Sequence, residues 1–259
     1  MPVQAQLNML VSQISNQLPT NFNQKLDGSS RGRPGRREGT GSRGECPSVN
    51  MLLTALIPSN NLALAVEEHP TFWFYVPYHL HEVSFGEFVL QDAANNNVYR
   101  TYFTLPEKPG VVSFSPTSAA PLDINKKYRW YFKLYCQDGM NSILTKSSTP
   151  VFVSGWVQRV ALKPNYERFL KVATTPRERI AIYTQNGIWL SALTHLAKLR
   201  LAQPQNATVD NDWVKLLRAV GLEKLAQQPI VGEVKTQDVK QTTDISRADI
   251  PDKSVSGHK

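Results

Sequence analysis

Residues 128–136 read Tyr-Arg-Trp-Tyr-Phe-Lys-Leu-Tyr-Cys and alternate between apolar and polar or amphipathic side chains. Successive side chains of a β-strand point to opposite faces of its sheet, so this period of two predicts a strand with one buried row. The row expected to be buried consists of Trp130, Phe132, Leu134 and Cys136. The other row, which starts at Arg129, is expected to face outward.

Short segments with strand composition lie before and after this stretch, separated by Pro, Gly and Asn. Together they make seven or eight predicted strands, at 51–57, 62–66, 71–77, 84–91, 98–105, 110–115, 128–136 and 151–160. No helical pattern interrupts them, and such a series is typical of an antiparallel β-sandwich, Ig-like or jelly-roll-like, with a barrel as the alternative. We therefore predict a β-sandwich domain over residues 46–162.

A helical period begins near residue 163 and predicts a mainly β protein with a C-terminal α subdomain over 163–231. Thr175, followed by a proline and by Glu178, matches the capping box that starts a helix. Gly187 is expected to end this helix in a left-handed conformation.

A second predicted helix spans about 188–201, and a third is expected to start at Asp210 and stop at Gly221. The first two would form a helical hairpin. Four of its residues resemble the second half of a tetratricopeptide repeat: Gly187, Trp189, Ala192 and Pro204. Because one such unit cannot bury its own apolar face, the hairpin is expected to pack on the sandwich or on a partner.

The two ends of the chain are predicted to be flexible, as a basic arm over residues 1–45 and a tail over 232–259. Val3 and Ala5 have the small or aliphatic character found before a signal-peptidase cut, so the start is interpreted as the remnant of a truncated secretory signal. The alternative is a short amphipathic helix, because apolar residues recur there at helical spacing: Leu7, Leu10, Val11, Ile14 and Leu18.

The net charge of +8 is not spread evenly over the 259 residues. Residues 46–162 carry 8 basic and 8 acidic side chains, so the excess lies on the arm and on the helices. This distribution gives no support to a nucleic-acid-binding core. No apolar run approaches the roughly 18 residues of a membrane helix, which excludes an integral helical membrane protein.

Several strings of residues carry a resemblance to a cyanobacterial family, the domain of unknown function 928. They are Arg31-Gly-Arg-Pro-Gly-Arg-Arg-Glu-Gly39, Ser42-Arg-Gly44 to Cys46, Leu53-Thr-Ala-Leu-Ile-Pro58, His69-Pro-Thr-Phe-Trp-Phe-Tyr-Val-Pro-Tyr78, Phe88-Val-Leu-Gln-Asp92, Tyr128-Arg-Trp130, Gly155-Trp-Val-Gln-Arg159 and Asn186-Gly-Ile-Trp189. The resemblance spans about residues 30–230. It implies an exported protein but no particular reaction, substrate or cofactor.

Cys46 and Cys136 are the two cysteines of the sequence. In an exported chain such a pair is expected to form a disulfide, which would tie the end of the basic arm to the sandwich. Two unconnected buried thiols are the alternative. Neither cysteine has the neighbouring residues of a nucleophile.

Catalytic signatures of the common hydrolase, phosphate-loop and Rossmann classes are missing from the sequence. The nearest approach to a metal constellation is His79, His81 and Glu82, and we interpret these three as loop residues rather than as ligands. Further carboxylates could supply an acid/base pair, but nothing in the sequence fixes their separation. We therefore predict no catalytic, cofactor or metal site.

Two groups of residues are candidates for partner binding. The first is the arginines of the arm, which could contact anionic lipid, acidic glycans or carboxylates of another protein: Arg31, Arg33, Arg36, Arg37 and Arg43. Arg-Gly-Arg-Pro at 31–34 also resembles the core of a DNA-binding AT-hook. The second group is Trp73, Tyr75 and Tyr78, which either lie under the helical hairpin or form an exposed aromatic patch for sugars or a protein.

These features favour a non-catalytic, exported or envelope-associated interaction module that is periplasmic, bound to the cell envelope or secreted, with a cytoplasmic protein as the alternative. Its expected partner is a protein or an anionic envelope component, and nucleic acid is the less favoured partner. Two other functions stay open. One is a hydrolase or carbohydrate-active, metal-dependent enzyme, and the other is DNA binding through the arm.

Overall fold

The computed structural model describes residues 9, 35–39, 46–136 and 149–237. These residues form ten strands: β1 Thr54–Ala55, β2 Leu62–Ala65, β3 Phe72–Val76, β4 Val83–Gln91, β5 Asn97–Thr104, β6 Gly110–Phe114, β7 Lys127–Cys136, β8 Val151–Arg159, β9 Ile230–Glu233 and β10 Lys235–Gln237. They also form four α-helices, α1 Pro164–Val172, α2 Pro176–Gln185, α3 Trp189–Ala202 and α4 Ala207–Arg218, and the 3₁₀ helices Leu80–Glu82 and Glu223–Leu225. None of the helices described is long and apolar enough to cross a membrane.

The strands form two sheets, one of four strands in the order β1-β3-β6-β9 and one of six in the order β10-β5-β4-β7-β8-β2. The prediction of seven or eight strands before the helices is confirmed, since the described residues form eight there. The prediction of purely antiparallel pairing is wrong, because β2 pairs parallel with β8 and β6 pairs parallel with β9. Parallel neighbours are joined by long crossover connections, and a strand's own alternation does not encode which distant strand it will meet.

The inward row of β7 lies in the core, as its alternation predicts. Trp130, Phe132 and Leu134 are fully buried. Phe132 stacks on Phe74 of β3, with 3.9 Å between ring centroids, so residues of both sheets share one core. Close packing fixes Gly155 on β8, since a Cβ there would lie 2.6 Å from the ring of Trp130.

The capping box predicted at the start of α2 is confirmed. The hydroxyl of Thr175 accepts a hydrogen bond from the Glu178 N–H at 3.2 Å, and the Glu178 carboxylate accepts one from the Thr175 N–H at 3.0 Å. Gly187 ends this helical segment with a φ of 69°. This left-handed conformation carries the least steric cost for glycine.

The predicted start of the third helix of the hairpin region is wrong by one turn. Asn206, not Asp210, caps α4, and its side-chain oxygen accepts a hydrogen bond from the Thr208 N–H at 3.0 Å. Asp210 lies inside the helix and pairs with Arg200 at 2.9 Å. Asn and Asp are both common N-cap residues, so residue type alone did not show which of the two begins the helix.

Helix α3 attaches the helical part to the sheets. It packs on β2, and the indole N–H of Trp189 donates a hydrogen bond to the Leu56 carbonyl at 2.6 Å. The indole N–H of Trp73, on the face of β3 opposite to Phe74, donates to the Thr194 hydroxyl at 2.9 Å. The helices therefore cover the outer face of the four-stranded sheet at this point.

Residues 35–39 lie within the predicted flexible arm, and in the structure they run between the edges of both sheets. The Ser154 N–H of β8 donates to the Arg36 carbonyl at 2.7 Å, and the Ala55 N–H of β1 donates to the Arg37 carbonyl at 2.8 Å. Strand β10 likewise lies within the segment predicted as a tail and pairs with β5.

Candidate functional site

The aromatic residues proposed as a surface patch are buried. Trp73, Tyr75 and Tyr78 are 3%, 5% and 3% exposed. Burial raises the pKa of the Tyr75 hydroxyl, and burial together with the charge of Glu82 raises the pKa of Tyr78. Of the two alternatives, the structure has Trp73 beneath the helices, so these residues offer no binding surface in this structure.

The candidate arginines of the arm divide into two groups. Arg31, Arg33 and Arg43 lie outside the described residues. Arg36 is exposed, with its guanidinium carbon 4.7 Å from the ring centroid of Phe152 on β8, and Arg37 is partly buried. The backbone hydrogen bonds of Arg36 and Arg37 give these residues a structural role that the composition of the arm did not indicate.

The weak metal candidates do not form a ligand set. His79 and His81 are exposed, and their ring centroids lie 5.3 Å apart. The Glu82 carboxylate accepts the His79 backbone N–H at 2.7 Å, so it caps the 3₁₀ helix. Within residues 35–39, 46–136 and 149–237, no group of three His, Cys, Asp or Glu side chains could hold a metal ion.

Cys46 and Cys136 form a disulfide, with their Cα atoms 5.0 Å apart, as predicted. The bond joins Cys46, which directly follows the arm, to Cys136, the last residue of β7. A structural disulfide indicates a non-reducing compartment.

A site that the sequence did not indicate lies on the six-stranded sheet. We call it the outward face, meaning the side chains of β4, β5, β7 and β8 that alternate with core residues. Cross-strand register brings them into one surface, since Glu87 lies between Tyr102 and Lys133, and Arg129 lies beside Trp156. Its aromatic and charged members are Phe85, Glu87, Arg100, Tyr102, Lys127, Arg129, Tyr131, Lys133, Tyr135, Phe152 and Trp156.

Glu87 is the centre of a charged cluster on this face, although its side chain is only 1% exposed. Its carboxylate accepts hydrogen bonds from the Lys133 ammonium at 2.9 Å and the Tyr135 hydroxyl at 3.0 Å, and it pairs with Arg100. Burial opposes ionisation, but these donors and charges outweigh it and lower the pKa of Glu87. Burial and the Glu87 charge raise the pKa of Tyr135 to about 12.

Replacing Glu87 with glutamine is expected to lower the free energy of unfolding at pH 7 by about 1–3 kcal/mol, because charge-assisted hydrogen bonds are lost. The folded pKa of Glu87 is lowered, so this stabilisation is present above the ordinary value of 4.5 and is lost as the pH falls through the folded value. Urea unfolding at pH 7 and pH 3 should therefore show a difference from wild type that shrinks in acid. Glu107→Gln, at an exposed position, is the control, and a pH-independent difference would contradict the assignment.

Cations and aromatic rings alternate over the rest of the outward face. The Arg100 guanidinium carbon lies 5.6 Å from the Tyr102 centroid. That of Arg129 lies 4.9 Å from the centroid of Tyr131 and 5.9 Å from that of Trp156. Such contacts hold the cations against the sheet.

A shallow depression of about 190 Å³ lies on this face and includes Glu87, Arg100, Tyr131 and Lys133 among its lining residues. Pockets for whole small molecules usually measure about 300–1,000 Å³. The depression is therefore smaller than a typical small-molecule pocket.

A second polar cluster joins the helices to the sheet and was also missed. The buried hydroxyl of Ser191 donates to the Glu67 carboxylate at 2.6 Å and accepts the Val66 N–H at 3.2 Å. His195 stacks on Tyr183 with 5.3 Å between centroids, and burial lowers the pKa of His195. Ser191 is 0% exposed and its proton is directed to a carboxylate, which is the arrangement of a structural bond rather than of an activated nucleophile.

The sequence held one signal for the outward face, namely the polar row of β7. That row predicts which side chains of β7 are exposed, but not which residues of other strands lie beside them. Glu87, Arg100 and Trp156 come from three other strands. These residues lie close together only in the observed strand register. A slip of one residue would move every side chain of a strand to the other face of the sheet.

Comparison with known proteins assigns the chain to a family. No curated protein matches the chain. The model of the family described as Domain of Unknown Function (DUF928) matches residues 38–230, which is most of the chain. The protein with the outward face described above therefore belongs to the DUF928 family.

Proposed function

We propose that the protein is a non-catalytic binding module of the periplasm, the cell envelope or the extracellular space, and that the outward face binds an anionic envelope component. The observation that carries this proposal is the cation–aromatic surface assembled from four strands. The disulfide between Cys46 and Cys136 supports a location outside the reducing cytoplasm.

Charge complementarity supports an anionic partner. The outward positions of β4, β5, β7 and β8 carry four basic side chains, Arg100, Lys127, Arg129 and Lys133, against the single carboxylate of Glu87. The basic excess of a surface raises both the association rate and the affinity for anions, and these effects weaken with salt.

The same cluster favours binding over catalysis. A general acid or base works best with a pKa near the working pH. The pKa of Glu87 is lowered and that of Tyr135 is raised to about 12, so near neutral pH neither group exchanges a proton readily. The hydrogen bond between them instead holds both side chains in place on the sheet.

The proposed scaffold is a β-sandwich with tetratricopeptide-like helices on one side. The stacking of Phe74 on Phe132 between the sheets supports the sandwich. Gly187 at a positive φ, followed by the buried residues Trp189 and Ala192, supports the repeat-like hairpin. In this arrangement the helices cover one sheet, and the outward face of the other sheet is available to a ligand.

Binding of the purified, oxidised protein to three polyanions tests the proposal: polygalacturonate, polyglutamate and vesicles containing an anionic phospholipid. We expect binding to at least one of them that weakens as salt rises from 50 to 500 mM. An Arg31→Gln/Arg33→Gln variant is the matched control, because it removes arm charges and leaves the outward face intact; it should bind as wild type does. Absence of binding to all three polyanions overturns the proposal. Salt-dependent binding to duplex DNA alone, lost in the arm variant, would favour the DNA-binding alternative.

A further inference from the structure

We propose that the ligand of the outward face is an acidic polysaccharide, and that Arg129 binds its carboxylate groups while Trp156 and Tyr131 contact its sugar rings. This inference rests on the proposed function and names its ligand class. It follows from the difference between Arg129 and the other cations of the face.

Arg129 is held in place without an acidic partner. Arg100 and Lys133 both pair with Glu87. Arg129 lies instead over the rings of Tyr131 and Trp156, and its Nε is buried and has no hydrogen-bond partner. In the part of the chain that the structure describes, no carboxylate forms an ion pair with it.

An anionic ligand would complete this arrangement. A guanidinium presents several N–H donors in a plane that matches the two oxygens of a carboxylate. Arg129 as a whole is partly exposed, so its guanidinium can offer such donors to a ligand carboxylate although its Nε is buried. The two rings keep the guanidinium oriented before the ligand arrives, which lowers the entropy cost of binding.

The surroundings of Arg129 favour a polysaccharide over an acidic peptide. Trp156 and Tyr131 are both partly exposed, and such rings can pack on the C–H face of a sugar. The depression of about 190 Å³ next to Tyr131 is suited to one unit of a polymer. Peptides often bind by adding a strand to a sheet edge, but β7 is a central strand with both edges paired, so this mode is not available here.

The test compares polygalacturonate with its fully methyl-esterified form, which has the same sugar backbone without the charge, and with polyglutamate, which has the charge without the sugar. Isothermal titration calorimetry should show that the oxidised protein binds polygalacturonate at least about tenfold more tightly than either control, as expected when charge and ring contacts both contribute.

Two variants identify the residues. Arg129→Gln is expected to weaken polygalacturonate binding about tenfold or more, the size of effect for one lost charge-assisted contact. Trp156→Ala should remove the preference for polygalacturonate over polyglutamate. Arg218→Gln, on the exposed surface of α4, is the matched control and should leave the affinity unchanged. Circular dichroism and thermal unfolding verify that each variant folds.

The outcomes separate this inference from the proposed function. Equal affinity for polygalacturonate and polyglutamate, or full binding by folded Arg129→Gln, overturns the polysaccharide site and leaves a general polyanion-binding module. Binding of the methyl ester as tightly as the acid also overturns the role of Arg129. Loss of binding to every polyanion overturns both proposals.

Discussion

Replacing Trp189 with alanine is expected to lower the free energy of unfolding by about 3–5 kcal/mol, the cost of removing a large aromatic side chain from a core. Trp189 is 0% exposed and lies at the first residue of α3, where the helices meet the chain after β1. Its loss leaves a cavity between the helical part and the sheets, and it also removes the hydrogen bond to the Leu56 carbonyl at 2.6 Å.

Trp189→Phe separates these two effects, since it keeps most of the volume and removes the indole N–H. We expect it to cost about 1–3 kcal/mol, because a buried carbonyl is left without its partner. Trp156→Ala, the same chemical change at a partly exposed position, is the control and should cost less than Trp189→Ala. Urea unfolding followed by far-ultraviolet circular dichroism measures all three. A Trp189→Ala protein as stable as Trp156→Ala would contradict the view that Trp189 anchors the helices.

Removing the disulfide is expected to have the second largest effect, a loss of about 3–4 kcal/mol in a Cys46→Ser/Cys136→Ser variant. The bond closes a loop of 90 residues, so it restricts a large part of the unfolded chain. It also ties residue 46 to the end of β7, next to Val83 of β4.

The disulfide prediction is tested by urea unfolding with and without reductant. The wild-type midpoint should fall in reductant, whereas the midpoint of the double serine variant should not move. Because Cys136 is only 5% exposed, reduction must be completed in denaturant before refolding. A wild-type midpoint that is insensitive to complete reduction would show that the bond contributes nothing to stability.

The local elements of the fold could be predicted from the sequence with useful accuracy. The period of two located all eight strands before the helices, and the capping box at Thr175 gave the start of α2. These signals are local, since side-chain alternation and capping depend on residues within one element. The error at Asp210 arose where two residues of the same capping type, Asn206 and Asp210, lie four positions apart.

The candidate site was not predictable in the same way. The sequence left two positions open for Trp73, under the helices or in an exposed patch, and only its hydrogen bond to Thr194 in the structure decides between them. Arg129 was expected to face outward. Its own strand, however, does not indicate that Trp156 will lie beside it, or that Glu87 will pair with other cations instead. Sheet register brings together residues that are tens of positions apart in sequence.

Although α1, β9 and β10 were not predicted, the amino-acid sequence alone predicted the eight strands that precede the helices, the change from strands to helices near residue 163, the start of α2, the disulfide between the two cysteines and the family. Each follows from the identity of neighbouring residues or of one pair. The tertiary structure decided the parallel neighbours of β2 and β6, the burial of Trp73 and Tyr75, and the assembly of the outward face. These depend on which distant strands pair and in what register, and that choice is made by packing of the whole core rather than by any segment of it.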